Sequence, residues 1–93
     1  MSDPRLSQIP GWSLLPDGKA IHRDLKMKDF LSAVSLIDRI AELAEADDHH
    51  PDLHLTGYRN LSIELSTHSA GGLTDKDFAL AAKIEKLPKA LKG

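Results

Sequence analysis

The sequence contains no cysteine. Disulfides, thiolate nucleophiles and zinc–cysteine centres are therefore excluded. It also lacks any apolar run near the ~20 residues that a membrane-spanning helix requires, and its first residues lack the apolar core of a signal peptide. The expected compartment is the cytoplasm, with no membrane as partner. There is no excess of basic charge either: 12 Lys and Arg stand against 14 Asp and Glu, a formal net charge of −2. A nucleic-acid-binding domain usually shows a strongly basic face, so nucleic acid is not expected as a direct partner. The lysines that do cluster, Lys83, Lys86, Lys89 and Lys92, read as a solvated helix face and a frayed tail. Repeats and low-complexity segments are absent. The 93 residues leave room for one domain, residues 1–93. A chain this short buries a modest core, and oligomerisation would add to it.

What is present is patterning. Residues 1–11 are polar, with Pro4 and Pro10, and suit a short helical turn or an ordered arm. Trp12 to Leu15 reads as a short strand, and Pro16-Asp17-Gly18 as a turn. From Ile21 the chain alternates. Ile21, Arg23, Leu25 and Met27 point one way and His22, Asp24 and Lys26 the other, which predicts a half-covered strand. Near Lys28 the period changes to that of a helix. Phe30, Ala33, Val34, Ile37, Ile40, Ala41 and Ala44 mark an apolar face about five turns long. It must stop before Pro51, because the residue preceding proline avoids the α region.

Leu53 to Gly57 can form a third strand, and Asn60 to Ser66 alternates clearly as a fourth. Thr74 is a good N-cap for a last helix, with Asp75 and Asp77 in its first turn, where carboxylates suit the helix dipole. Pro88 ends that helix. The order β-β-α-β-β-α, with a possible short helix in front, predicts an α+β two-layer sandwich: a four-stranded antiparallel sheet with both helices on one face. The other face, bearing Ser62, Glu64 and Ser66, stays polar and available to a further subunit.

The chemistry lies in the histidines. There are five, and four of them (His49, His50, His54 and His68) fall in one short stretch. His49 and His50 end the long helix, and His68 ends a strand. Asp77 lies one turn into the helix that follows. Imidazole titrates near pH 6.5, so one ring can be neutral while another is protonated. Such a pair can give and take a proton in one turnover, which suits a dehydration. Asp77 could orient an imidazole. His50 and His54 have the HxxxH spacing of a zinc pair, but Pro51 breaks any helix between them and no third ligand stands out. No metal is expected. Trp12 is a core or edge residue, or else an apolar wall for a flat ring. Gly71-Gly72 reads as a loop, not a phosphate cradle.

One run of residues goes further. Glu45 is separated by three residues from His49-His50-Pro51. Six residues then lead to Tyr58, nine more to His68 and eight more to Asp77. This resembles the signature of pterin-4a-carbinolamine dehydratases. Gly11-Trp12, the stretch from Ile21 to Phe30, Leu65-Ser66-Thr67-His68 and Gly71-Gly72-Leu73-Thr74 also look like family segments, so the likeness covers roughly residues 9–87. The resemblance implies the same four-stranded sheet, a homodimer or homotetramer, and no cofactor. It implies dehydration of 4a-hydroxytetrahydrobiopterin to the quinonoid dihydropterin. His49 and His68 would be the acid–base pair, His50 would hold the pterin and share proton transfer, and Asp77 would hold the histidine geometry. Glu45, Pro51, Trp12 and Thr67 would contact the substrate.

Glu45, four residues before His49, can share a helix face with it, and its carboxylate is a candidate partner for the amino-pyrimidine end of the pterin or for a histidine. Tyr58 stands one residue further from the histidine pair than in animal members, which calls for a longer turn or a bulge. One rival on this fold is an assembly or dimerisation cofactor; relatives of that kind tend to lose the histidines that this chain keeps. Two more rivals are a different pterin chemistry and a histidine metal site. The dehydratase reading requires residues 49, 50 and 68 to gather around one ring-sized hollow.

Overall fold

The computed structural model describes residues 4–89 and Leu91, without the side chains of Pro4 and His68. A 3-10 turn, Pro4–Gln8, leads into strands β1 (Ser13–Leu14) and β2 (Ile21–Lys26). Helix α1 (Phe30–Asp47) follows, then β3 (Asp52–Thr56), β4 (Asn60–Leu65), a second 3-10 turn at His68–Ala70, and helix α2 (Asp75–Glu85). The sheet is antiparallel throughout, in the order β1-β2-β4-β3. This is the α+β arrangement that the alternation of periods predicts. No helix among the described residues is long and apolar enough to cross a membrane.

Each element follows from its residues. In β2 the odd positions Ile21 and Leu25 are buried while Asp24 and Lys26 are exposed. Met27 continues the buried side as an isolated bridge partner of Leu91. In β4, Leu61, Ile63 and Leu65 are buried, and the register sets Ile63 across from Arg23 and Leu53. These side chains meet Ala33, Leu36, Ile40, Phe78, Leu80, Ala81 and Ile84 of the two helices in one core. Full burial of a side chain such as Ile63 contributes about 1.5–3 kcal/mol. The opposite sheet face is polar, with Ser62 donating to Asp24 at 2.7 Å.

One expectation is revised, and the choice left open between a longer turn and a bulge is decided. The buried line on α1 is Ala33, Leu36, Ile40 and Ala44, while Phe30 is 52% exposed and Ala41 lies on the outer side. A helix of 18 residues runs about 27 Å, whereas a six-residue strand covers about 20 Å. The sheet is thus too short to cover the whole of α1, and Phe30 in its first turn is left exposed. The extra residue before Tyr58 is absorbed by the turn and not by a bulge: Thr56 still pairs with Asn60, and Gly57 and Tyr58 both take left-handed φ of 52° and 58°.

Candidate active site

The site begins where α1 ends. Asp48 adopts the left-handed conformation, φ 49° and ψ 43°. The His49 N–H then returns to the Ala44 carbonyl at 3.1 Å and the Asp48 N–H to that of Glu45 at 3.3 Å. This is a Schellman arrangement, which satisfies carbonyls that the helix end would leave open. It also swings residue 49 off the helix cylinder towards α2. Next to it, Lys83 of α2 donates to both Asp47 carboxylate oxygens at 2.8 Å, locking the two helices together.

On the facing side, Thr74 caps α2 and donates its N–H to Asp77 Oδ2 at 3.0 Å. Thr67, just past the end of β4, donates its hydroxyl to the same oxygen at 2.8 Å. The Thr67 proton is thereby used, so the Thr74 hydroxyl supplies the proton in the 2.8 Å Thr67–Thr74 contact. The other oxygen, Oδ1, meets His49 Nε2 at 2.5 Å. Asp77 is 0% exposed. A buried carboxylate is costly unless hydrogen bonds replace water, and here three donors do so.

The protonation pattern of His49 follows from these partners. An ionised carboxylate only accepts, so Nε2 carries the hydrogen, and in the neutral ring Nδ1 is left as the basic nitrogen. The His49 side chain is 10% exposed, so one edge still reaches solvent. His50 differs. Its Nε2 meets Glu45 Oε2 at 2.5 Å, and the two side chains are 56% and 76% exposed. The expectation that Glu45 and His49 share a helix face is corrected by this pairing: i,i+4 neighbours meet only within a helix, and the reversal at Asp48 takes residue 49 out of it and delivers His50 to Glu45.

The structure thus brings together His49, Asp77, Thr67 and Thr74, with the His50–Glu45 pair beside them and Pro51 leading into β3. The His68 side chain lies outside the described residues. Its backbone, however, directly follows Thr67 in the His68–Ala70 turn, whose base is closed by mutual backbone hydrogen bonds between Thr67 and Gly72 at 2.9 and 3.3 Å. Thr67, expected against substrate, spends its hydroxyl on Asp77.

Trp12 is 5% exposed and belongs to the core. Its indole N–H donates to Glu85 Oε1 at 2.7 Å, and Arg23 Nε donates to the same oxygen at 3.0 Å. Glu85 lies eight residues beyond Asp77 on α2, about 12 Å along the helix axis, so within one chain Trp12 is not gathered with His49. Sequence reasoning does not single out Glu85, and no local pattern marks it. The Thr74-x-x-Asp77 spacing, by contrast, is that of a capping box and could have revealed the second task of Asp77. His54 is exposed on β3, opposite Ser62. Among the described residues, no three His, Asp or Glu side chains converge as metal ligands.

Comparison with known proteins agrees in direction. Residues 2–87 match the family model for pterin 4 alpha carbinolamine dehydratase. The chain is 45% identical over 84 residues, 88% of its length, to the mitochondrial pterin-4-alpha-carbinolamine dehydratase 2 of Arabidopsis thaliana, and spans about 45% of that relative. The crystal structure of a transcriptional coactivator/pterin dehydratase from Brucella melitensis superposes with a TM-score of 0.82 at 34% identity, covering 87% of this chain and 85% of that one. A pterin dehydratase-like protein identified as a RuBisCO assembly factor in the alpha-carboxysome superposes at a TM-score of 0.68 and 16% identity, over 84% of this chain and 89% of that one, and shares the fold.

Proposed function

The chain belongs to the pterin-4a-carbinolamine dehydratase family, and we propose that it removes water from a 4a-hydroxytetrahydropterin by histidine acid–base catalysis. The observation that carries this reading is the His49–Asp77 pair, an imidazole anchored through Nε2 on a fully buried carboxylate. The reaction needs one proton delivered and one removed. As the C–O bond at the hydroxyl-bearing ring carbon breaks, an acid protonates the departing oxygen to give water. The lone pair of the adjacent ring nitrogen forms the new C=N bond, and a base takes the hydrogen from that nitrogen. Electrons and protons balance without an oxidant or reductant.

In this reading, His49 uses Nδ1 for one of these transfers while Asp77 prevents the ring from turning. Residue 68, one position beyond Thr67, supplies the partner imidazole. His50 and Glu45, at the exposed rim, hold the pterin, with Pro51 behind them. General acid–base groups contribute typically 10²–10⁴-fold. The family resemblance and the small core support a homodimer or homotetramer.

The test is turnover of a chemically generated 4a-hydroxytetrahydropterin, with and without a chelator. The wild-type protein is expected to accelerate the loss of water equally in both. His49→Ala and His68→Ala are each expected to lose roughly 10²–10⁴-fold. Full activity in both variants would refute the assignment.

A further inference from the structure

Two of the proposed proton-transfer groups are tied to one residue. The backbone of Thr67 closes the loop that carries residue 68. Its N–H donates to the Gly72 carbonyl at 2.9 Å, and its own carbonyl accepts the Ala70 and Gly72 N–H groups at 3.1 and 3.3 Å. Its hydroxyl leaves that loop and donates to Asp77 Oδ2 at 2.8 Å, while Asp77 Oδ1 meets His49 Nε2 at 2.5 Å. Residues 49 and 68 are therefore both referred to Thr67, one through its side chain and the other through its backbone.

The hydroxyl is suited to that task. The Thr74 N–H, which also donates to Oδ2, lies only three residues before Asp77 and moves with α2. The Thr67 hydroxyl reaches the same oxygen from outside the helix, just past the end of β4. A carboxyl group turns easily about its last side-chain torsion, so a contact from outside α2 fixes the plane in which Oδ1 faces His49. The Thr67 rotor is itself fixed. Its β-branched carbon is stiff, and the Thr74 hydroxyl donates to Thr67 Oγ1 at 2.8 Å, which leaves the Thr67 hydrogen for Asp77. Hydroxyls that donate in one sense along a chain strengthen each link.

We propose that the Thr67 hydroxyl is a positioning group: it acts on the reaction through Asp77 and His49, fixes them relative to residue 68, and does not touch the substrate. The proposal rests on the dehydratase reading above. Thr67→Val removes the hydroxyl and keeps the shape and the backbone; Thr67→Ser keeps the hydroxyl. With activity counted per folded molecule, Thr67→Val is expected to lower kcat by roughly 10–100-fold at unchanged KM, and Thr67→Ser to retain most of it. Thr67→Ala gives the same reading if the valine variant does not fold. In a His49→Ala background the loss of the hydroxyl should cost nothing further, because the group it acts through is gone. By NMR, the His49 Nε2–H should exchange with water faster in Thr67→Val than in wild type or Thr67→Ser. A raised KM with kcat intact would make Thr67 a substrate contact. An equal loss of kcat with and without His49 would mean that the hydroxyl acts elsewhere, and an unchanged kcat that it serves only the fold. Each of these results overturns the proposal and leaves the dehydratase reading standing. No turnover of a 4a-hydroxytetrahydropterin by the wild-type protein overturns both.

Discussion

Asp77 has two tasks, because its two carboxylate oxygens face different elements. Oδ2 closes the start of α2 with Thr74 and Thr67, and Oδ1 holds His49. Asn in its place keeps the shape but must turn an NH2 towards donors on one side. Asp77→Asn is therefore expected to lower stability by about 1–3 kcal/mol, the cost of leaving a buried polar group unsatisfied. It should also reduce kcat well beyond the loss of folded protein. Denaturant titration gives the first value and turnover per folded molecule the second; a variant with unchanged kcat would show that His49 needs no orienting carboxylate. The contrast with Glu45 is one of exposure. An ion pair in water is worth at most about 1 kcal/mol, so the His50–Glu45 contact is better suited to meeting a ligand than to holding the fold.

At the scale of elements, the ends of the helices matter more than their middles. Asp48 carries the left-handed turn that aims His49. A β-branched residue there is strained by about 1–2 kcal/mol, so Asp48→Val should lose both stability and activity. Asp48→Gly, free of that strain, should keep both. Equal thermal melts for the two variants would contradict the turn. The other end of α1 offers a pH test. Asp29 accepts the Ser32 N–H at 2.7 Å, and this backbone hydrogen bond, helped by the Ser32 side chain, holds its carboxyl below the ordinary value of 3.8. A carboxyl whose value is lowered by folding stabilises the fold above its unfolded value and ceases to do so as pH falls through the folded one. Asp29→Ala should therefore melt earlier than wild type at pH 7, with the gap closing as pH drops below 3.8. A gap that stays constant into acid would mean that the cap is not electrostatic.

Across the whole molecule, the N-terminal arm is part of the core. Trp12 and Arg23 share one oxygen of Glu85, joining β1, β2 and the end of α2. Arg5 reaches Asp75 at 2.7 Å and lies 4.2 Å from the centre of the Phe78 ring, pinning the first turn of α2 on which Asp77 rides. Trp12→Phe removes the indole N–H and part of the packing. It should cost about 1–2 kcal/mol while leaving KM for the pterin unchanged. A KM that rises with stability intact would return Trp12 to the substrate wall, contributed across a subunit boundary.

The sequence by itself determined the elements and their faces. Alternation in β2 and β4, the helical period of α1, the N-cap at Thr74 and the stop before Pro51 are local facts, written in side chains within a few residues of each other. It also determined which residue types stand at the element ends, and so the candidate histidines. Only the tertiary structure decided which imidazole meets which carboxylate. His49 and Asp77 are far apart in the chain, and the left-handed turn at Asp48 hands His49 to α2 while leaving His50 with Glu45. It likewise decided that Trp12 belongs to Glu85, that Thr67 serves Asp77, and that Phe30 is left exposed. Each of these depends on how distant elements pack against one another and on which buried polar group lacks a partner. Such quantities arise only when distant segments are packed together and water is removed from between them.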